Sequence, residues 1–127
     1  MKVRELSKED ILHIHDEMIA RYGGLNGLRD SGLFDSLCKM PYQGFGDFEY
    51  YPTLYDKAAQ YLYGFATNQV FIDGNKRTAA TVCGLFLAIN GVHLDASTDQ
   101  IIDFCLRVAN KEVGREEIKD FLVQNTK

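Results

Sequence analysis

At 127 residues the chain is long enough to bury a core without disulfide or metal staples, and residues 1–127 are expected to form one domain. Hydrophobic residues at 46% and charged ones at 25% are ordinary for a soluble globular protein. A balance of 14 Lys and Arg against 18 Asp and Glu gives a net charge of −4, which argues against a general nucleic-acid binder, since that needs a basic face.

The N-terminus leads into charged residues rather than an apolar run, so no targeting segment is expected. Ser7 followed by Asp10 makes a start signal, and Ile11, Ile14, Met18 and Tyr22 recur at helical spacing until Gly23-Gly24 stops the run. His13 and His15 stand two apart on this helix, which points them to different sides and keeps them from sharing a metal ion. Arg21 to Asp30 reads as a Gly/Asn-rich loop, after which Asp30 or Ser31 caps a short helix that ends before Pro41. Pro41 to Pro52 interleaves Tyr42, Phe45, Phe48, Tyr50 and Tyr51 with glycines and shows neither helical nor alternating period. It is expected to be an aromatic loop, either a binding flap or a set of rings packed over the core edge.

Thr53 with Asp56 repeats the start signal, and Leu54, Ala58, Tyr61 and Phe65 mark one face of a helix running toward Asn68. Gln69 to Asn75 is a loop, and the next helix runs from about Lys76 to Asn90, where Asn90-Gly91 ends it. Thr78 to Ile89 carries no charge, so this helix is expected to be central and buried, and its apolar stretch is too short to cross a bilayer. Val92-His93-Leu94 reads as short and extended, with His93 a surface residue. Ser97 with Gln100 opens a helix through Ile101, Phe104, Cys105 and Val108, and a last helix covers Arg115 to Val123. The sum is about six helices and no strand pair, an all-α fold. Cys38, Cys83 and Cys105 are scattered without metal-ligand spacing and read as free thiols of a reducing cytosol, which fits a cytoplasmic protein without membrane contact.

The chemistry concentrates in Phe71-Ile72-Asp73-Gly74-Asn75-Lys76-Arg77-Thr78, just before the uncharged helix. A glycine beside Asn at a helix entrance turns the backbone sharply and leaves the first N–H groups unpaired, an anion seat to which Lys76 and Arg77 add charge. Asp73 is placed to hold a divalent cation that bridges phosphate oxygens. Two readings stay open: a phosphate or nucleotide site, or an N-capping turn with solvated cations. No Gly-x-x-x-x-Gly-Lys-Ser/Thr and no Rossmann glycine triplet is present, so any anion seat lies in a helix-entry loop.

Phe-x-Asp-Gly-Asn-Lys-Arg-Thr-Ala resembles the signature of the Fic/Doc family in its Doc (death-on-curing) toxin form. Fic proteins have Gly where Lys76 stands and a second Arg where Ala80 stands. His15-Asp16, Arg21-Tyr22-Gly23-Gly24, Gly27-Leu28-Arg29-Asp30 and Gly32-Leu33 are similar to the N-terminal part of Doc-like toxins. The resemblance implies a helical bundle with the signature loop before a central buried helix, and a toxin of a toxin–antitoxin system with a cognate antitoxin docked in a groove. It implies ATP and Mg2+, with Asp73 on the metal, Gly74 and Asn75 presenting the turn to the phosphates, and Lys76 and Arg77 gripping them. It also implies γ-phosphate transfer to a threonine of elongation factor Tu, because Lys76 is associated with the nucleotide orientation of Doc rather than of the AMP-transferring Fic enzymes. The departure is Gln69, at the position of the family's general-base His; an amide cannot take up a proton near neutral pH. The favoured explanation is loss of the base, made or selected, in a protein whose activity kills its host. The others are a naturally silent binding module and a Gln69 that orients a hydroxyl or water.

Overall fold

The computed structural model describes residues 2–127, so Met1, the first residue of the N-terminal segment read above, lies outside it. Six helices form: α1 (Lys8–Tyr22), α2 (Ser31–Lys39), α3 (Leu54–Thr67), α4 (Asn75–Ile89), α5 (Thr98–Ala109) and α6 (Arg115–Gln124). A short 3-10 turn, Met40–Tyr42, follows α2. Three of the starts are reciprocal caps. Ser7 Oγ accepts from the Asp10 N–H at 3.0 Å while the Asp10 carboxylate accepts from the Ser7 N–H at 2.9 Å, and Thr53 with Asp56 and Ser97 with Gln100 repeat the pattern.

The pair α3 and α4 forms the centre of the bundle: the two lie along each other, α1 and α5 pack on α4, and α2, α5 and α6 pack on α3. Phe86 and Leu87 of α4, Tyr61 and Phe65 of α3, Ile11 of α1, Phe34 of α2 and Ile118 of α6 are all but removed from water. The Tyr61 ring meets Phe86 at 5.2 Å between centroids, and its hydroxyl bonds that of Tyr42 at 2.6 Å, so the one polar atom of this aromatic cluster has a partner. Burial, with Tyr42 as its neighbour, pushes the Tyr61 phenol well above its ordinary value.

An uncharged helix was expected to be buried on every side, and α4 is not. Thr78, Ala79, Val82, Cys83, Phe86 and Leu87 face the core, but Leu85 and Ala88 are exposed. Ala88 lines a groove of about 440 Å3 between α1, α4 and α5, whose walls also include Met18, Ala80, Gly84 and Ile101, whereas Leu85 lies outside that lining. The C-terminal end of α4 is fastened by Asn90, whose Oδ1 accepts the Arg4 N–H at 2.8 Å while Nδ2 donates to the Arg4 carbonyl at 3.0 Å and to the Phe86 carbonyl at 2.8 Å.

The aromatic segment is a correction to the strand-free reading. Gly44–Phe45 (β1) and Phe48–Glu49 (β2) pair antiparallel as a small hairpin. Propensity hid it, because two-residue strands are too short to show a period. Packing over the core holds for Tyr42 but not for Phe45, Phe48 and Tyr50, which are exposed and meet one another tilted or edge-on with centroids 5.3 to 6.4 Å apart. The hairpin is held at its base by Lys57, a lysine only 3% exposed, whose Nζ donates to Glu49 Oε1 at 2.9 Å and to the Tyr51 carbonyl. The Val92–Leu94 stretch is extended as expected and pairs with the C-terminus, His93 and Lys127 exchanging backbone bonds.

No helix among the described residues is long and apolar enough to cross a membrane. All three cysteines are free and buried. Burial pushes the Cys38 and Cys105 thiols up to about 12 and that of Cys83 higher still. Because the thiolate is the reactive form, an alkylating reagent at about pH 8 is expected to leave all three unmodified in the native protein and to label all three in denaturant, as counted by intact mass.

Candidate functional site

The loop from Asn68 to Gly74 joins α3 to α4 and builds itself before it can bind anything. Asn75, the first residue of α4, reaches back so that Oδ1 accepts the Phe71 N–H at 3.1 Å and Nδ2 donates to the Phe71 carbonyl at 3.0 Å. Gly74 then turns into the helix at φ 79°, the left-handed region open to glycine. A Cβ there would also press on Ile19 Cδ1 at 3.2 Å. No side chain caps α4 at Gly74, so the N–H groups of its first turn have no capping partner.

The two sequence blocks that carry the resemblance lie side by side. The Val70 carbonyl accepts the N–H groups of Arg29 and Asp30 at 2.6 and 3.2 Å, the Ile72 N–H donates to the Gly27 carbonyl at 3.1 Å, and Leu28 bridges Phe71 antiparallel. Glycines at positive φ, Gly23, Gly24 and Gly27, allow this loop to fold back from α1. Its Leu25 N–H donates to Asp73 Oδ2 at 2.8 Å, and a Cβ on Gly24 would stand 3.0 Å from that of Asp73.

A recess of about 280 Å3 opens over this turn, lined by Thr67, Gln69, Asp73, Gly74, Asn75 and Lys76, with Ala109 and Asn110 from the end of α5 as its other wall. The structure thus brings together five of the six expected site residues. Arg77 is the exception. One residue along the helix turns it roughly 100° away, and its guanidinium lies 3.9 Å over the Tyr22 ring, on the wall of the α1–α4–α5 groove. Gln69 is exposed, and its Oε1 accepts from Arg29 Nη1 at 3.1 Å.

Several neighbours of the site had no assigned role in the sequence. Arg29 and Leu25 belong to the glycine-rich block, so the signal was present but carried no geometry. Asn110 gave none, because only the fold brings the end of α5 to Lys76. His13 and His15 do point to different sides of α1: His15 is buried and its ring lies against Phe71 of the loop, whereas His13 is exposed and lies 3.7 Å from Glu17. No group of three or more metal-ligating side chains occurs among the described residues. A single carboxylate at the recess, with one oxygen already accepting an N–H, suits only an ion that brings most of its own ligands, as Mg2+ does when it travels with phosphates and water.

The paired bonds of Asn75 make a stability prediction. Asn75→Ala strands both polar groups of Phe71, a residue 1% exposed, and is expected to cost about 2 kcal/mol in denaturant unfolding. A loss under about 0.5 kcal/mol would mean that the loop holds its shape without this residue.

The sequence model of the Fic/DOC family matches residues 5–87, which takes in both blocks. Over 125 residues the chain is 33% identical to a protein named protein kinase doc of Escherichia phage P1, covering 94% of each. Over 115 residues it is 36% identical to a protein named toxin Doc of Mycolicibacterium smegmatis, covering 89% of this chain and 86% of that one. With the signature loop, the glycine-rich loop beside it and the central α4 all in one helical bundle, the chain belongs to the Fic/Doc family.

Proposed function

We propose that the protein is a Doc-type toxin whose recess binds ATP with Mg2+ and whose chemistry is transfer of the γ-phosphate to a hydroxyl of a target protein, attenuated by Gln69. The observation that carries this reading is the gathering of Asp73, Gly74, Asn75 and Lys76 at an uncapped helix start, in a chain similar along its length to a protein named as a kinase. A recess of about 280 Å3 falls at the lower edge of ligand pockets, roughly 300–1,000 Å3, so it would take the phosphates and leave the nucleoside at its rim. Asp73 would hold the cation through Oδ1, the oxygen not used by Leu25, and Mg2+ when bound would neutralise phosphate charge. Lys76 and the free N–H groups of α4 would fix the phosphate oxygens. Arg77 would reach them only by leaving the Tyr22 ring.

Gln69 stands where a general base would act on the target hydroxyl, and its amide can orient that hydroxyl but not take its proton. By family resemblance the target is a threonine of elongation factor Tu. A second reading is a silent nucleotide- or antitoxin-binding module, favoured by the same glutamine and by the bond that ties its oxygen to Arg29. AMP transfer is the third, disfavoured by Lys76.

These readings separate in one assay with Mg2+, elongation factor Tu and ATP labelled at the α or γ phosphate. Gln69→His is expected to raise γ-label transfer by about 10² to 10⁴, and Lys76→Ala in that background to lower it by about 10². Label from the α position would make the protein an AMP transferase. A His variant that binds nucleotide yet labels nothing, in lysate as with the purified factor, would sink the enzyme reading.

The groove between α1, α4 and α5 is the proposed seat of the antitoxin, whose apolar segment would cover Met18, Ala80, Ala88 and Ile101. Ala88→Arg places a charge in that seat. It is expected to weaken antitoxin binding at least tenfold, a loss of about 1.4 kcal/mol, with γ-transfer by the Gln69→His protein unchanged. Equal binding by both forms would move the antitoxin elsewhere.

A further inference from the structure

His15 is a buried, titratable side chain that phosphate transfer does not use, and yet it touches the signature loop twice. Its ring lies flat on Phe71, with centroids 3.7 Å apart and 6° between the planes. Its Nε2 stands 2.7 Å from the backbone oxygen of Asp73. A carbonyl oxygen only accepts, so Nε2 carries the hydrogen and donates it. The residue is 1% exposed, so water cannot replace this donor.

The bond gains its meaning from the other contact on Asp73. The Leu25 N–H, three residues past the end of α1, donates to Oδ2 at 2.8 Å. Main chain and side chain of Asp73 are therefore each gripped once. Oδ1 is the oxygen of this residue without a hydrogen bond from the described residues.

We infer that His15 is a positioning residue: its Nε2–H fixes the Asp73 backbone so that the Leu25 N–H can orient the carboxylate, leaving Oδ1 for a Mg2+–nucleotide in the recess. The use of Oδ1 rests on the reading of the recess given above; the grip on Asp73 does not. The competing role is packing alone, in which the ring matters and the N–H does not. Two substitutions pull these apart. His15→Phe keeps a ring against Phe71 and removes the donor, whereas His15→Gln removes the ring and keeps an amide donor near the Nε2 position.

The test uses the chain as it is, without restoring a base at Gln69. Long-range 15N–1H spectra report the His15 tautomer, hydrogen exchange reports the Leu25 amide, and titration with ATP in the presence and absence of Mg2+ reports the recess. Positioning predicts the Nε2–H tautomer and faster Leu25 exchange in His15→Phe. It also predicts a loss of about tenfold or more in Mg2+–ATP affinity with little change for ATP alone, and near-parental behaviour in His15→Gln. The reverse order, with Phe silent and Gln loosened, would overturn the inference, as would the Nδ1–H tautomer. If Leu25 exchange follows the donor but no form binds Mg2+–ATP, the grip on Asp73 stands and the nucleotide reading of the recess falls.

Discussion

A backbone that leaves one helix and enters another within seven residues, against a buried face, must find partners for polar groups that neither helix supplies. In this protein the partners come from three places. The Asn75 side chain takes both groups of Phe71, the loop after α1 takes the Val70 carbonyl and the Ile72 N–H, and His15 takes the Asp73 carbonyl. Once these are satisfied the first turn of α4 is left facing a recess. The uncapped helix start is therefore what remains after the loop has solved its own hydrogen-bond problem, and α1 is as much a part of that solution as the signature itself.

This division explains why consecutive residues of one motif end in different places. Asp73, Asn75 and Lys76 share the recess, while Arg77 sits on the Tyr22 ring at the edge of a groove that also exposes Ala88. Two basic residues side by side in sequence suggest one grip on phosphate. At 100° per residue a helix divides them between two surfaces, and a cation–π contact holds the second one there.

Much of the fold was legible because its signals are local. Ser7 with Asp10, Thr53 with Asp56, and Ser97 with Gln100 place helix starts by bonds between residues three apart, and the structure contains each of them. Non-local features were hidden. The hairpin of Gly44–Phe45 and Phe48–Glu49 owes its hold to Lys57, a charge that looks like an ordinary surface residue until Glu49 and the Tyr51 carbonyl close around it. The uncharged run of α4 announced burial correctly for Phe86 and Leu87 but could not distinguish a core from an open groove at Ala88 or from an exposed face at Leu85. In the site, the grouping of Asp73 to Lys76 at a helix entrance was readable from the motif, whereas Asn110 and the bond from Arg29 to Gln69 depend on tertiary placement.

Helix α4 begins and ends with an asparagine that grips a neighbouring stretch of backbone, Asn75 on Phe71 and Asn90 on Arg4. The two differ in chemical durability. Asn90 is followed by Gly91, which has no side chain to shield the backbone nitrogen that attacks a preceding asparagine amide, the route by which asparagine loses ammonia once the Gly91 N–H releases the Ala88 carbonyl it now donates to at 3.0 Å. The product, an aspartate, would set a negative oxygen where Nδ2 now donates to the carbonyls of Arg4 and Phe86. The chain before α1 would then lose its hold on the end of α4, at the opposite end of the helix from the recess.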